Sequence, residues 1–406
     1  MLTEVVEKYH FSGAQPAFFD CPSDWPDGDL SPWLDPAYLH DVNSRYFELA
    51  DEPFSILLGA AQELLKRPDL NRFGRYCRWL LFESGYDAEY LAHLGFPKPV
   101  TGVQALDDFF GLLVHLSGVE TVEKRYAARG IPLRHLRDSY SSVRIWVDAF
   151  RRYYGRWGHN RDGARMVNIE HLRNIRIGRL EFEICWFYGK IIVLRSRTTG
   201  VALALSEGGV RVNTQGRVSG ANDIWDPHAW VSFFNETEDS WIGHAVSGCR
   251  ILPEMARYPK AEWEEVVHRG QCSLNIHIPR DGRMTKAEIE RTMEEADAFF
   301  RRYFPDHPFR IFECHTWLFD PQLEDMLGED SGIAQFARLF YRFPEQATDR
   351  GAMVFGFTEA PFDMKAWQPT TRLQQKIKDH YAQGGRMCAA GGFILPGGSV
   401  PPKTHI

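Results

Sequence analysis

The sequence predicts an α+β protein in which a helical N-terminal region precedes a domain built on a mixed sheet. Three observations support this prediction. Apolar residues recur with helical spacing over residues 45–154, and the pattern changes to alternation near Ile175. A strand, a tight turn and a long amphipathic helix then follow one another over residues 272–303. Strands that alternate with helices in the second half are typical of α/β or α+β domains.

Composition limits the class of protein. The 406 residues are 44% apolar and 25% charged, which is ordinary for a folded chain of two or three domains. The net charge of −7 argues against a nucleic-acid partner, because nucleic-acid binding usually leaves a basic footprint. No apolar run is long enough to span a membrane and the N-terminus lacks a signal-peptide pattern, so we expect a cytoplasmic protein without membrane association.

The cysteines also limit the chemistry. There are seven, scattered along the chain and without a CxxC pair. This usage is typical of reduced thiols in a cytoplasm. We therefore expect no disulfide framework, no zinc site and no other metal cofactor.

The N-terminal half contains an arm and a set of helices. Residues 1–44 are rich in Pro, Asp and aromatic residues and show little periodicity, so we expect an extended arm. Gly155 should end the longest helix, as glycine commonly does at a helix C-terminus. Amphipathic runs predict helices at residues 53–66, 70–82, 102–117, 119–129 and 133–154.

The second half alternates strands with helices. Residues 179–187 and 190–196 predict a strand pair around Tyr188-Gly189, and residues 206–247 predict loops with short strands. Further along, the pattern predicts strands at 309–319, 352–357 and 387–395, a helix opened by Asp320-Pro321, an amphipathic run at 333–343 and a helix at 371–382.

The strand–turn–helix unit at 272–303 has the most distinctive local chemistry. Thr285 and Glu288 predict a capping box at the start of its helix, after an Asp281-Gly282 turn. Free N–H groups at such a turn suit a phosphate, although the turn also fits an ordinary strand-to-helix connection. Before Pro279, apolar or thiol side chains alternate with polar ones, in the order Cys272, Ser273, Leu274, Asn275, Ile276, His277 and Ile278.

Longer runs resemble a bacterial N-acyltransferase family. Residues 111–132, 139–158 and 176–183 (GLLVHLSGVETVEKRYAARGIP, SYSSVRIWVDAFRRYYGRWG and RIGRLEFE) resemble its helical N-terminal domain. Residues 274–305, 312–327 and 370–385 (beginning LNIHIPRDG, FECHTWLF and TTRLQQKI) resemble its GNAT-like C-terminal domain. We therefore expect an arm at 1–44, a helical N-acyltransferase N-terminal domain at 45–172 and a GNAT-like acyltransferase domain at 173–406.

The resemblance implies the Gcn5-related N-acyltransferase fold, a mixed sheet whose fourth and fifth strands splay apart. Residues 272–279 and 309–318 would be these two strands. In that fold the pantetheine of an acyl thioester enters the splay, and its pyrophosphate lies at the following helix N-terminus. The implied co-substrate is an acyl-CoA or a phosphopantetheine-bound acyl thioester, and the implied cofactor-binding residues are Ile278, Arg280, Gly282, Arg283 and Thr285.

The phosphate loop departs from the usual superfamily pattern. Ordinary members carry Arg/Gln-x-x-Gly-x-Gly/Ala, whereas only Arg280, Gly282 and Arg283 are available here. Two donors therefore stay open, CoA and an acyl carrier protein, whose pantetheine arm presents a single phosphate. The basic runs at 151–156 and 173–179 fit either docking of an acidic carrier protein or a solvated surface. The implied acceptor is a small-molecule or peptide amine.

His277, Glu313 and His315 are the candidate general bases. An amine must lose a proton before it attacks a thioester carbonyl, and a base within hydrogen-bond reach serves that step. His277 lies on the polar face of a predicted central strand, and Glu313 and His315 share one face of the next. The alternatives are a buried, hydrogen-bonded histidine for the first, and a structural ion pair or a solvent-facing edge for the other two.

Four further residues have chemical alternatives. Tyr341 lies in IAQFARLFYRF, which resembles the superfamily helix whose tyrosine protonates the leaving thiolate, and a core tyrosine is the alternative. Cys314 is either a buried thiol or the site of an acyl-cysteine intermediate. Glu181 and Glu183 alternate with apolar residues, which fits an acceptor pocket or a solvated sheet face.

The predicted function is acyl transfer from an acyl thioester directly to an amine through a tetrahedral intermediate. A backbone N–H on the splayed strand can hold the oxyanion. A catalytically inactive acyl-thioester sensor with the same fold is the alternative, and release of free thiol in the presence of amines distinguishes the two.

Overall fold

The chain divides into two compact units. They are Met1–Glu183 with Pro279–Asp281, and Ile184–Ile278 with Gly282–Ile406. The computed structural model describes residues 2–20, 25, 27–282, 284–353 and 367–397. Helices dominate the first unit and strands the second, which confirms the predicted α+β class.

The first unit is mainly helical because its apolar residues repeat with helical spacing and pack inward. Its helices are α1 (Leu2–Tyr9), α2 (Pro36–Val42), α3 (Asp51–Leu65), α4 (Pro68–Phe82), α5 (Ala88–Leu94), α6 (Gln104–Leu116), α7 (Val119–Ala128), α8 (Arg134–Tyr154) and α9 (Ala164–Glu170). Two antiparallel pairs accompany them, β1 (Ser12–Ala14) with β2 (Gly95–Lys98), and β3 (Asn174–Ile177) with the start of β4 (Leu180–Trp186). The five predicted helices correspond to α3, α4, α6, α7 and α8.

Local chemistry sets several helix ends. Pro68 opens α4, where its fixed φ suits the first turn. The side chain of Asp35 caps α2 by accepting a hydrogen bond from the N–H of Ala37. Gly155 ends α8 as predicted, with a left-handed φ of 70° and an N–H that donates to the carbonyl of Arg151 at 3.0 Å.

The arm predicted at 1–44 is not extended throughout. It contains α1, β1 and α2, none longer than eight residues, and buries Phe18 and Leu30. The hydroxyl of Tyr76 on α4 donates to the carbonyl of Phe18 at 2.7 Å. Elements this short leave little periodicity in a sequence, which is why composition alone predicted an extended segment.

The second unit contains most of the strands. They are β5 (Ile191–Ser196), β6 (Ala202–Ser206), β7 (Arg211–Val212), β8 (Trp230–Val231), β9 (Phe234–Glu236), β10 (Ser240–Ser247), β11 (Arg250–Pro259), β12 (Trp263–Val267), β13 (Cys272–His277), β14 (Ile311–Thr316), β15 (Tyr341–Pro344) and β16 (Ala390–Ile394). Its helices are α10 (Lys286–Tyr303), α11 (Gln322–Leu327), α12 (Gly332–Ala337) and α13 (Arg372–Ala382).

Two sheets organise this unit. One is antiparallel, in the order β11–β10–β6–β5–β12 with β9 also beside β10. The other is mixed, in the order β15–β16–β14–β13, with the end of β4 next to β13. Side chains from both sheets share one apolar cluster, which includes Val193, Val267, Ile311, Phe343 and Phe393. Burial of this cluster holds the mixed sheet in place around its central strand β14.

Some elements predicted for this unit differ from the structure, and others agree with it. The region 206–247 contains the eight-residue β10 besides short strands, and the ten-residue β11 follows it. The helix predicted at 371–382 is α13, with a complete capping box between Thr371 and Gln374. Ala352 and Met353 are helical rather than extended, and the rest of the strand predicted at 352–357 lies outside the described residues.

Candidate active site

Strands β13 and β14 run side by side and then part. They are parallel and paired over three positions, the last being Asn275 with Glu313. The ladder ends there, although β13 continues to His277 and β14 to Thr316. On its other side β14 stays paired with β16 as far as Thr316. The strands therefore separate at their C-terminal ends, in the manner that the family resemblance implies.

Polar side chains gather on one face where the strands part. Ser273, Asn275 and His277 alternate along β13, and Glu313 and His315 alternate along β14. The hydroxyl of Ser273 donates to Oε1 of Glu313 at 2.5 Å, so the two sets share a face of the sheet. The structure thus brings Glu313 and His315 together and places His277 on the neighbouring strand.

The carboxylate of Glu313 is fully buried and accepts hydrogen bonds from three side chains. Besides Ser273, the Sγ of Cys185 lies 3.2 Å from Oε1, and Nε2 of His315 lies 2.8 Å from Oε2. A buried carboxylate needs such donors, because burial of an unpaired charge is costly. Sequence reasoning missed Cys185, which carries no local signal, and had only the polar face to indicate Ser273.

His315 lies between two carboxylates. Its Nε2 faces Glu313, and its Nδ1 lies 2.7 Å from Oε1 of Glu345, a residue that sequence reasoning missed. Burial alone would lower the pKa of His315, but the hydrogen bonds to Glu313 and Glu345 raise it to about 9. The imidazole is therefore protonated at neutral pH and is a donor at both nitrogens. This arrangement matches the predicted ion pair, with a second carboxylate added.

Aromatic and thiol groups surround this cluster. The ring of Tyr188 stacks on the imidazole of His315, with centroids 4.1 Å apart and an interplanar angle of 22°. Burial and the charges of Glu345 and Glu313 raise the pKa of the Tyr188 hydroxyl. Burial and the same carboxylates raise the pKa of the Cys314 thiol. Cys314 therefore stays a thiol, which disfavours an acyl-cysteine intermediate at this position.

His277 is the last residue of β13 and is half-buried. It lies two residues beyond Asn275, the last position paired with β14. Ile278 follows, also half-buried, and the chain then enters the turn before α10. His277 therefore lies beyond the last position at which the two strands are paired.

The turn before α10 contains the remaining predicted donor-binding residues. Gly282 has a φ of 112°, which an L side chain rarely adopts, so the turn requires glycine. Thr285 caps α10, since its hydroxyl accepts from the N–H of Glu288 at 3.4 Å. The reciprocal half of the predicted capping box is not among the hydrogen bonds of the described residues. Arg280 is exposed, and Arg283 lies outside the described residues.

Asp281 of this turn is paired with arginines that sequence reasoning assigned to a solvated linker or a docking surface. Nη2 of Arg176 lies 2.8 Å from Oδ2 of Asp281, and Nη1 of Arg179 lies 3.6 Å from Oδ1. Both arginines are buried, with 8% and 6% of their surface exposed. The carboxylate of Asp281 is thus compensated by two cations within the first unit.

Tyr341 lies in strand β15, and the helix predicted for it is wrong. Its ring stacks on Phe393 of β16, with centroids 5.1 Å apart. Phe393 is in turn paired with Glu313 of β14. Tyr341 is thus two strand spacings from Glu313, or about 10 Å along the sheet. Its hydroxyl is buried and has no hydrogen-bond partner among the described residues.

Glu181 and Glu183 make structural contacts within the first unit. The hydroxyl of Ser142 and Nδ2 of Asn174 both donate to Glu181, the latter at 3.1 Å. Nδ2 of Asn168 donates to Glu183 at 2.7 Å. Glu181 is buried, so the solvated sheet face that the alternation suggested is wrong for this residue.

A groove of about 610 Å³ opens on the opposite face of β14, where Phe312 points away from Glu313. Its floor is apolar and its α10 rim is acidic. The lining includes Ile289, Met293, Phe312, Leu339 and Leu395, together with Glu290, Glu294 and Asp297. The sheet separates this groove from the cluster around His315.

The described part of the chain shows neither a metal-binding cluster nor a membrane-spanning helix. No group of three or more His, Cys, Asp or Glu residues there is arranged to hold a metal ion. None of the helices in that part combines the length and the apolar composition needed to cross a bilayer.

Comparisons with known proteins agree with this architecture. Residues 38–163 match the family described as the N-acyltransferase N-terminal domain, and residues 175–394 match the GNAT-like C-terminal domain. No protein of curated function matches the sequence.

Solved structures share the fold. An acyltransferase in complex with CoA and 10C-teicoplanin has a TM-score of 0.64 at 18% identity, over 97% of this chain and 94% of that one. An acyltransferase with decanoyl-CoA and teicoplanin has a TM-score of 0.62 at 19% identity over the same shares of the two chains. A mutant acyltransferase with octanoyl-CoA gives the same values. At these identities the likeness shows the fold alone.

Proposed function

This chain belongs to the GNAT-like N-acyltransferase family, and from that membership we propose that it moves an acyl group from acyl-CoA to the nitrogen of a small-molecule amine. One structural observation supports the proposal most strongly. The ladder between β13 and β14 ends at Asn275 and Glu313, with polar side chains on the face where the strands part. A pantetheine arm can line such a gap, because its amides can bond to free strand edges as an added strand does.

The donor is proposed to be a CoA thioester with a medium-length acyl chain. The solved structures of the same fold contain CoA, octanoyl-CoA or decanoyl-CoA. We assign the donor phosphates to the turn before α10, with Ile278, Arg280, Gly282, Arg283 and Thr285 as contacts. The positive end of a capped helix favours an anion there. An acyl carrier protein is the competing donor, and it would place a single phosphate at this turn.

The base role is proposed for His277. The amine must be neutral to attack the thioester carbonyl, and His277 stands at the opening between the strands. Glu313 and His315 are less suited to accept a proton, because both oxygens of Glu313 already accept hydrogen bonds and both nitrogens of His315 face carboxylates. The N–H of Ile278 is the proposed oxyanion donor.

Tyr341 is proposed as the acid that protonates the leaving thiolate. Its buried hydroxyl has no partner among the described residues, so it is available to donate a proton. Tyr341 lies two strand spacings from Glu313, on the side of β14 opposite to the opening between β13 and β14.

Thiol release tests this proposal. Purified protein is mixed with octanoyl-CoA, decanoyl-CoA or decanoyl carrier protein and a panel of amines, and the acylated amine is identified by mass spectrometry. We expect amine-dependent thiol release with CoA donors. Binding of acyl-CoA without release of thiol would favour the catalytically inactive sensor. Release of thiol only from the carrier protein would show that the donor is an acyl carrier protein and not acyl-CoA.

The first prediction concerns His277. His277→Ala should lower kcat by about 10²–10⁴, the usual contribution of a general base, while the donor dissociation constant stays within about threefold of wild type. His228→Ala, at an exposed histidine of the same unit, is the matched control and should retain full activity. Wild-type turnover of His277→Ala across pH 6–9 would remove this residue from the mechanism.

A further inference from the structure

A row of hydrogen-bonded side chains leads from the interior of the second unit towards its surface. It runs from Ser273 to Glu313, His315 and Glu345, with successive polar atoms 2.5, 2.8 and 2.7 Å apart. The exposed fraction of the side chain rises from 0% at Glu313 to 11% at His315 and 19% at Glu345. The Glu313 end lies at the last paired position before β13 and β14 part.

The geometry fits a charged His315 between two ionised carboxylates. An ionised carboxylate can only accept hydrogen bonds, and each ring nitrogen faces one, so both nitrogens must carry a proton. The nearly parallel ring of Tyr188 adds a π face beside the cation. Among the described residues, no lysine or arginine forms an ion pair with Glu313 or Glu345. His315 is thus the cation that compensates the buried charge of Glu313.

We propose that Glu345 is a positioning residue for acyl transfer, which holds His315 charged and thereby keeps Glu313 an oriented anion at the opening between β13 and β14. This inference rests on the proposed function. When the amine attacks the carbonyl carbon, its nitrogen carries a positive charge until a proton leaves to the base. A fixed carboxylate close to that nitrogen stabilises the charge without taking the proton.

Three other groups from neighbouring parts of the chain face the row. Cys185 of β4 contacts Glu313, while Tyr188 follows β4 and Cys314 belongs to β14 itself. Burial and the two carboxylates raise the pKa of Tyr188 and of Cys314, so both stay neutral while His315 titrates. Arg342 on β15 pairs instead with Glu324, at 3.8 Å.

The test is the pH dependence of Glu345→Gln. Removal of an opposite charge within hydrogen-bond distance should lower the pKa of His315 by about 1–3 pH units. The decrease of kcat at alkaline pH should therefore begin at a pH lower by that amount. At pH 6, kcat should stay within about twofold of wild type, and the KM for the donor should not change. Glu345→Asp should restore much of the wild-type profile.

A matched control separates this effect from general damage. Glu265 lies 2.6 Å from the exposed His268, a second glutamate–histidine pair of the same unit. Glu265→Gln should leave the kcat profile unchanged. An alkaline limb at the wild-type position in Glu345→Gln, or an equal loss of kcat at every pH, overturns the positioning role.

A readout without turnover keeps the inference separate from the proposed function. Carbon resonances of the histidine rings are titrated by NMR in the full chain, with His315→Gln to assign the signal. We expect His315 to titrate near pH 9 in the wild type and lower in Glu345→Gln. If the wild type transfers no acyl group, the proposed function is wrong. Independently of that result, titration of His315 near pH 6.5 in the wild type would contradict the positioning role of Glu345.

Discussion

The charged state of His315 predicts that the stability of this protein depends on pH in a defined direction. Its pKa is raised from 6.5 to about 9 in the folded chain, because two hydrogen-bonded carboxylates outweigh the effect of burial. Between these values the folded state keeps a proton that the unfolded state loses. The contribution is therefore fully present below pH 6.5 and is lost as pH rises through 9.

The magnitude follows from the two pKa values. Their difference of about 2.5 pH units corresponds to about 3 kcal/mol, since one unit is worth about 1.4 kcal/mol. Only 11% of the His315 side chain is exposed, so solvent screening reduces this figure little. Between pH 6.5 and 9 the free energy of unfolding should fall by about 1.4 kcal/mol for each pH unit through this group alone.

Urea unfolding of the wild type and of His315→Gln measures this contribution. Other groups titrate in the same range, so the relevant quantity is the difference between the two proteins, which should shrink by about 3 kcal/mol from pH 6 to pH 10. A difference that stays constant over this range would show that His315 is not held as a cation and would refute the reasoning. If His315→Gln does not fold, Glu345→Gln should show a smaller change of the same sign.

Two further predictions concern the donor and the acid. Gly282→Asp should weaken acyl-CoA binding by about 10–100-fold, because it adds a negative charge at the proposed phosphate turn. The control is Gly270→Asp, which places the same residue at another glycine with positive φ (87°). This variant controls for backbone strain and should bind acyl-CoA normally. Equal donor dissociation constants for the two variants would move the phosphate elsewhere. Tyr341→Phe should leave thermal stability unchanged or slightly raised, since the buried hydroxyl of Tyr341 lacks a partner among the described residues. The same variant should lower kcat at least tenfold. Full activity of this variant would exclude the acid role.

Local patterns predicted the central elements well. Alternation of apolar and polar residues located β13 to within two residues, and the position of Thr285 located the start of α10. These features depend on neighbours in sequence, so they can be read from it. The separation of β13 and β14 was predicted only from the family resemblance, because no local sequence pattern indicates where the pairing of two strands ends.

Tertiary contacts decided what the sequence did not predict. The run that contains Tyr341 has helical spacing, but pairing with Phe393 of β16 places Tyr341 in a strand, and such pairing commonly overrides local propensity. Glu345 and Tyr188 meet His315 across 30 and 127 positions of the chain, and neither lies in a recognisable pattern. A buried acid–base cluster built from distant residues leaves no periodic signal.

The one-sided attachment of β14 has a consequence for how this protein can diverge. β16 fixes β14 as far as Thr316, whereas β13 has already left it after Asn275. Glu313 and His315 lie on β14, the strand that β16 holds in place. Substitutions near Ile276 and Ile278 on β13 can therefore leave the charges of Glu313 and His315 in place. The charged pair of Glu313 and His315 and the base proposed at His277 can change independently in descendants of this sequence, because β14 carries the first and β13 the second.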